Sequence, residues 1–157
     1  MGYINKFKFC YTKKKPSKKR RTLDEKNARE LIPVHDREFS KFIRMSAAGE
    51  NGLITCPTCG NIYHWKEMDC SHYISRDNKA VRWNEKNVIA QCQAENRFHS
   101  GNIWKIRKAL ISMYGEEAVN NVELLAEGKA KLDRFWLLIK INEYREINKK
   151  IKKEKGL

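Results

Sequence analysis

With 157 residues, the chain has room for one domain and not for two of ordinary size. Its 33 lysines and arginines outnumber 19 acids for a formal charge of +14, more than solubility needs, which favours a polyanionic partner and nucleic acid above other polyanions. No apolar run approaches the roughly 18 residues of a membrane span and no signal-peptide core is present, so a soluble, intracellular protein is expected.

In chain order, residues 1–21 read as a flexible basic arm. Tyr3, Ile4, Phe7, Phe9 and Tyr11 stand in near alternation, and seven of the nine residues from Lys13 to Arg21 are basic, Lys18, Lys19, Arg20 and Arg21 among them. Such a block repels itself until it meets phosphate. Residues 22–52 read as N-terminal helices. Thr22-Leu23-Asp24-Glu25 has the form of a capping box and predicts a helix running towards Leu31, with Pro33 breaking it or starting the next. A second helix over His35 to Ala48 carries Phe39, Phe42, Ile43 and Ala47 at helical spacing, and Gly49 and Gly52 stop it. His35 has no ligand-spaced partner and reads as structural.

Residues 53–102 read as turns and short strands. Leu53-Ile54-Thr55 leads into Cys56-Pro57-Thr58-Cys59-Gly60, where the glycine permits a metal-knuckle backbone, and Ile62 to Trp65 returns. Met68 to Ile74 is expected as a strand, followed by a polar loop over 75–80, an extended Val81-Arg82-Trp83, a turn over Asn84 to Asn87 and a last strand into Cys92. Residues 103–157 read as helical support with a basic tail. Ile103, Ile106, Leu110 and Met113 recur with helical period up to Gly115, and Glu116 to Leu125 forms a short helix. A long helix from about Lys129 to Lys153 follows, with Leu132, Phe135, Trp136, Ile139, Ile141 and Tyr144 as its apolar stripe and a Lys-rich end that projects or frays.

The cysteine count is odd, with a tight pair at 56 and 59, which fits a reducing compartment and metal ligation better than disulfides. Cys56, Cys59 and Cys92 make a zinc pattern in which the fourth position is open. Glu95 stands where a second Cys-x-x-Cys would end, and zinc accepts carboxylate; Cys70, His64 and His99 are alternatives, and a metal-free packed core is the other outcome. Downstream, His72 is suited to act as a general base because neutral imidazole is abundant near pH 7. Asp69 and Asn96 offer oxygen ligands for magnesium or manganese, and Asn87 suits a positioning role on the histidine loop. On a regular strand Asp69 points away from His72, so a bulge or turn is required to bring both to one ion. Arg76, Lys79, Arg82 and Arg97, continued by Lys105, Arg107 and Lys108, form a candidate DNA-binding track.

Cys56-Pro-Thr-Cys59, Asp69-Cys-Ser-His72-Tyr73, Val81-Arg-Trp-Asn-Glu-Lys-Asn87-Val88, Gln91-Cys92, Asn96-Arg-Phe-His-Ser-Gly-Asn102 and Ile111-Ser-Met-Tyr-Gly-Glu-Glu-Ala-Val119 resemble the NinG (Rap) family of lambdoid phages, of the HNH or His-Me finger class. The resemblance covers roughly residues 22 to 150. It implies an α+β fold with a small ββα-metal centre and zinc-knuckle-like turns embedded in flanking helices. It further implies a divalent-metal-dependent endonuclease of branched DNA such as Holliday junctions and D-loops, with His72 as base, Asn87 as central asparagine and Asn96 in the metal-binding place. A cytoplasmic setting in a bacterial or phage-infected cell follows, with phage or host recombination proteins as partners. Symmetric junction cutting makes a homodimer attractive, with Phe135, Trp136 and Ile139 as a candidate interface, although intramolecular core is the simpler account of those residues. The family pattern Cys-x-x-Cys-Asn is Cys92-Gln-Ala-Glu95-Asn96 here, which bears on the zinc and not on His72. The rival reading is a non-catalytic, zinc-stabilised DNA-binding or annealing accessory; a homing or restriction-type HNH nuclease ranks third, because no separate sequence-reading domain is evident.

Overall fold

The computed structural model describes residues 21–98 and 100–157, Ser100 by its backbone only. The expectations for Cys10, Lys18, Lys19, Arg20 and His99 lie outside the described residues. Among the described residues the fold is α+β: two small antiparallel sheets and five α-helices.

Helix α1 spans Ala28–Ala47 as a single element. Its capping box is Asn27 with Glu30, not Thr22 with Glu25; the latter pair closes only a turn, Glu25 accepting from the Thr22 amide at 2.8 Å. Pro33 lies inside α1 and does not break it. The ring sits on the exposed side, near the helix start, where the loss of one intrahelical bond is most easily tolerated.

Strands β1 (Leu53–Thr55) and β2 (Ile62–His64) pair antiparallel around the Cys56–Cys59 turn. Strands β3 (Met68–His72) and β4 (Val88–Cys92) form the second sheet, Met68 opposite Cys92 and His72 opposite Val88. Every residue of β4 is buried, because α1 and α3 both pack on it. Neighbours on the strand accordingly enter different cores: Ile89 packs with Ile106, Leu110 and Val119, whereas Ala90 and Cys92 pack with Ala48, Ile54, Cys56 and Met68. Helix α2 (Gln93–Phe98) follows β4 directly, then α3 (Ile103–Tyr114) and α4 (Glu116–Ala126). Val81 to Trp83, expected as extended, is a turn.

Helix α5 covers Arg134–Lys155 and opens on Asp133, whose carboxylate accepts from the Trp136 amide at 2.8 Å. Its buried stripe is Leu137, Ile141 and Asn148, packed along α1 with Leu31. Phe135 and Ile139, expected in the core, face outward instead. The Lys-rich end does not project: Lys155 donates to the carbonyls of Met45 (3.0 Å), Ser46 (2.9 Å) and Ala48 (2.5 Å), closing the C-terminal turn of α1 where a cation is favoured. Asn148 donates to the Glu38 carbonyl at 3.0 Å in the same interface.

Candidate functional site

The β3–β4 hairpin carries two chemically different clusters. At its Met68–Cys92 end, the thiols of Cys56, Cys59 and Cys92 lie within 4.8 Å of one another, a group able to hold a metal ion. The turn that presents them has the backbone such a site needs. The Gly60 amide donates to the Cys56 carbonyl at 2.8 Å with φ at +78°, and the Cys92 amide points at the Cys56 sulfur at 3.4 Å. Burial opposes ionisation of Cys56, but hydrogen bonds from the Thr58 side chain and from backbone amides outweigh it and bring the thiol down to about 7. Soft sulfur donors of this kind suit zinc.

Among the described residues, none of the proposed fourth ligands enters this cluster. Glu95 turns to α3, where Asn102 donates to it and Lys105 stands 3.6 Å away. His64 caps the turn after β2, its Nδ1 accepting from the Lys66 amide at 3.4 Å. Cys70 lies on β3 two residues before His72, bordering the His72 cavity and outside the thiol cluster, and burial pushes its thiol up to about 12.

Towards the other end of the hairpin, Asp36, Asp69, Cys70, His72, Arg76 and Asn96 border an open polar cavity of about 400 Å³. His72 Nε2 lies 2.9 Å from the Arg82 carbonyl. A carbonyl only accepts, so Nε2 carries the proton and Nδ1 keeps its lone pair. Burial lowers the His72 pKa against the opposing pull of that carbonyl and of Asp36, which holds the ring neutral. Asp69 and Ser71 alternate with His72 along β3, and α2 brings Asn96 over them. Ser71 Oγ donates to Asn96 Oδ1 at 2.9 Å, and Asn96 Nδ2 donates to Asp69 at 2.9 Å. Arg97 grips the same carboxylate twice, at 3.0 and 3.1 Å. The expected bulge is not there: β3 pairs with β4 residue for residue, and Asp69 and His72 still border one cavity, as the strong twist of a two-stranded sheet allows.

Asn87 holds the loop that carries this site. Fully buried, it accepts from the Ile74 amide at 2.8 Å and donates to the carbonyls of Ile74 and Val81, each at 3.0 Å. Asp36 of α1 adds a second brace that no spacing in the sequence announces. It accepts from Arg82 at 2.9 and 2.6 Å and from the Trp83 indole at 2.9 Å. Arg82, expected on a phosphate track, is thereby committed to the interior, and Arg107 is committed to Glu123 at 2.8 Å and Asn120 at 3.1 Å. Arg76, Lys79 and Lys108 have exposed side chains with no acidic partner among the described residues. Gln91, also missed from the sequence, is fully buried and links the two clusters, donating to Thr58 at 3.1 Å and to the Gly101 carbonyl at 3.0 Å.

A family model described as Bacteriophage Lambda NinG protein matches residues 6–154. Protein ninG of Escherichia phage lambda is 35% identical over 71 residues, which is 45% of this chain and 34% of that protein. Protein ninG of Escherichia phage 933W is 32% identical over 71 residues, 45% of this chain and 35% of that protein. The matched stretch thus spans about a third of the length of these curated relatives. No solved structure matches the chain.

Proposed function

This chain belongs to the bacteriophage lambda NinG family, and from that premise we propose that it is a divalent-metal-dependent DNA endonuclease acting on branched recombination intermediates, with His72 as general base. The observation that carries the reading is the state of His72: Nε2 is anchored to the Arg82 carbonyl, and the free Nδ1 belongs to a neutral ring bordering a polar cavity. In this reading the β3–β4–α2 unit is the ββα-metal centre of a His-Me finger.

The oxygens of Asp69 and Asn96 are of the kind a hard cation takes. Asp69 would hold magnesium or manganese, and the Asn96 amide, which now turns its NH2 to Asp69 and its oxygen to Ser71, would have to flip to join it. The ion would supply charge neutralisation at the scissile phosphate and the leaving oxygen. The protein does the rest. His72 Nδ1 removes a proton from the attacking water while Nε2–H stays on the Arg82 carbonyl. Arg76 on the cavity rim holds a phosphate oxygen. Asn87 and the Asp36–Arg82 brace fix the loop, so that the imidazole does not have to be ordered at the moment of reaction. The three-cysteine cluster serves as a structural zinc site.

One observation favours the accessory reading: Arg97 already neutralises Asp69 through two hydrogen bonds, so a cation must compete for that carboxylate. Cleavage of a mobile four-way junction, a flap and a linear duplex in magnesium or manganese decides between them, with DNA binding followed in parallel. We expect metal-dependent nicking of the branched DNAs that His72→Ala abolishes while binding persists. Tight binding without cleavage in either ion overturns the nuclease assignment and leaves a zinc-stabilised DNA-binding accessory.

A further inference from the structure

A second feature of the molecule concerns what surrounds the cut rather than the cut itself. Trp104, in the first turn of α3, leaves 65% of its surface exposed, an unusual cost for an indole with no partner to cover it. It forms one wall of a groove of about 430 Å³ whose other walls include Pro57 and Thr58 of the cysteine turn and Met113 near the end of α3. Two cations line the same groove, Lys105 and Lys108. The Lys105 ammonium sits 5.7 Å from the Trp104 ring, and Lys108 follows one turn after Trp104 on the same side of the helix. Ile103, the residue before Trp104, borders the cavity that also takes in His72, so α3 contributes to both.

An aromatic face with a cation on either side suits one kind of occupant. Every nucleobase has a π-face to lay on an indole, and the phosphates on either side of it match the two lysines. A base inside duplex DNA has both faces stacked and cannot offer one. Building on the DNA-nuclease reading above, we propose that the Trp104 groove takes a single unpaired base of the DNA, with Trp104 as stacking platform and Lys105 and Lys108 holding its flanking phosphates. Recognition of branched DNAs that carry a single-stranded segment, such as D-loops and flaps, then comes from capture of a base that is already unpaired, at no cost of breaking a pair. It requires no reading of sequence. Lys105 also stands 3.6 Å from Glu95, so a phosphate would share its ammonium with that carboxylate.

The test compares affinities for a fully paired duplex and for the same duplex carrying a short single-stranded gap, using Trp104→Ala, Trp104→Phe and Lys108→Gln. Trp104→Ala is expected to weaken gapped-DNA binding on the order of tenfold, to leave paired-duplex affinity and melting temperature unchanged, and to be largely rescued by Trp104→Phe. Lys108→Gln is expected to weaken both DNAs and to lower the salt slope by about 1. Undiminished preference of Trp104→Ala for the gap overturns the proposal, as does an equal loss on both DNAs. A change of oligomeric state in Trp104→Ala with DNA affinity intact overturns it in favour of a contact between copies. If the parent protein binds neither DNA, the DNA-nuclease reading fails together with this inference; if the parent binds and the variant behaves identically, only this inference fails.

Discussion

The two ends of the β3–β4 hairpin solve opposite problems with the same two strands. At one end three sulfurs are drawn together in a core of Ala48, Ile54 and Met68, with a backbone amide and a threonine hydroxyl directed at one of them. At the other, imidazole, carboxylates and an amide face an open polar cavity, and their backbone, not their side chains, is what the core holds. The thiol cluster closes on itself. The His72 cavity stays open, its loop braced from behind by Asn87 and Asp36, with His72 Nδ1 left unpaired while Asp69 and Asn96 bond to each other, to Arg97 and to Ser71.

The largest test of this contrast is His72→Ala. Cleavage is expected to fall about 10²–10⁴-fold in single-turnover assays while zinc content and melting temperature stay at parent values. Loss of the fold along with activity would show that the two ends are not separable. Cys92→Ser should do the reverse. Zinc content falls and the melting temperature drops sharply, as it does when a strong chelator is added to the parent, because metal binding at such a site is folding free energy. A chelator that leaves the melting curve untouched would mean that the three thiols are only a packed core.

Between these extremes lies Asn87→Ala, which strips a partner from the Ile74 amide and from two buried carbonyls. A loss of roughly 1–3 kcal/mol in denaturant melts is expected, with a larger proportional loss of cleavage than of DNA binding. The smallest effect near neutral pH belongs to His35, fully buried against Trp83 at 4.3 Å with neither ring nitrogen hydrogen-bonded, and lowered by burial to about 4. Its neutral form is the one the fold accepts, so the unfolded chain binds its proton first. This contribution to stability is constant above pH 6.5 and is lost as pH falls from 6.5 towards 4. In His35→Leu that part of the acid sensitivity should vanish from thermal melts, at a cost below about 1.5 kcal/mol near neutrality.

Much of this was legible in the chain because local chemistry leaves local marks. The Cys-Pro-Thr-Cys-Gly turn and the strand into Cys92 both follow from residues close in sequence. What escaped lies on contacts between distant elements. Asp36 is one acid among several on an amphipathic helix, and only the folded arrangement brings it to Arg82 and Trp83, 46 and 47 residues later. The stripe on α5 was misread because Phe135 and Ile139 are as apolar as Leu137 and Ile141, and periodicity alone does not choose between two adjacent faces. Glu95 sits where a fourth ligand fits the spacing, and a competing amide and ammonium from the next helix take its carboxylate. Ser71 did carry a signal: it shares strand parity with Asp69, which places both beneath Asn96.

The clasp of Lys155 on the end of α1 has a consequence for the order of events at the ribosome. Contacts between α1 and α5 span about 110 residues of sequence, so α1 is made well before α5 can complete the cover of its apolar face, although β3 and β4 pack on it too. The cysteine turn and both hairpins can form while synthesis continues. Asp36 rides on α1, so its grip on the Arg82 loop depends on how firmly α1 is docked. A chain truncated within α5 is expected to keep its thiol cluster while the loop beside His72 loosens.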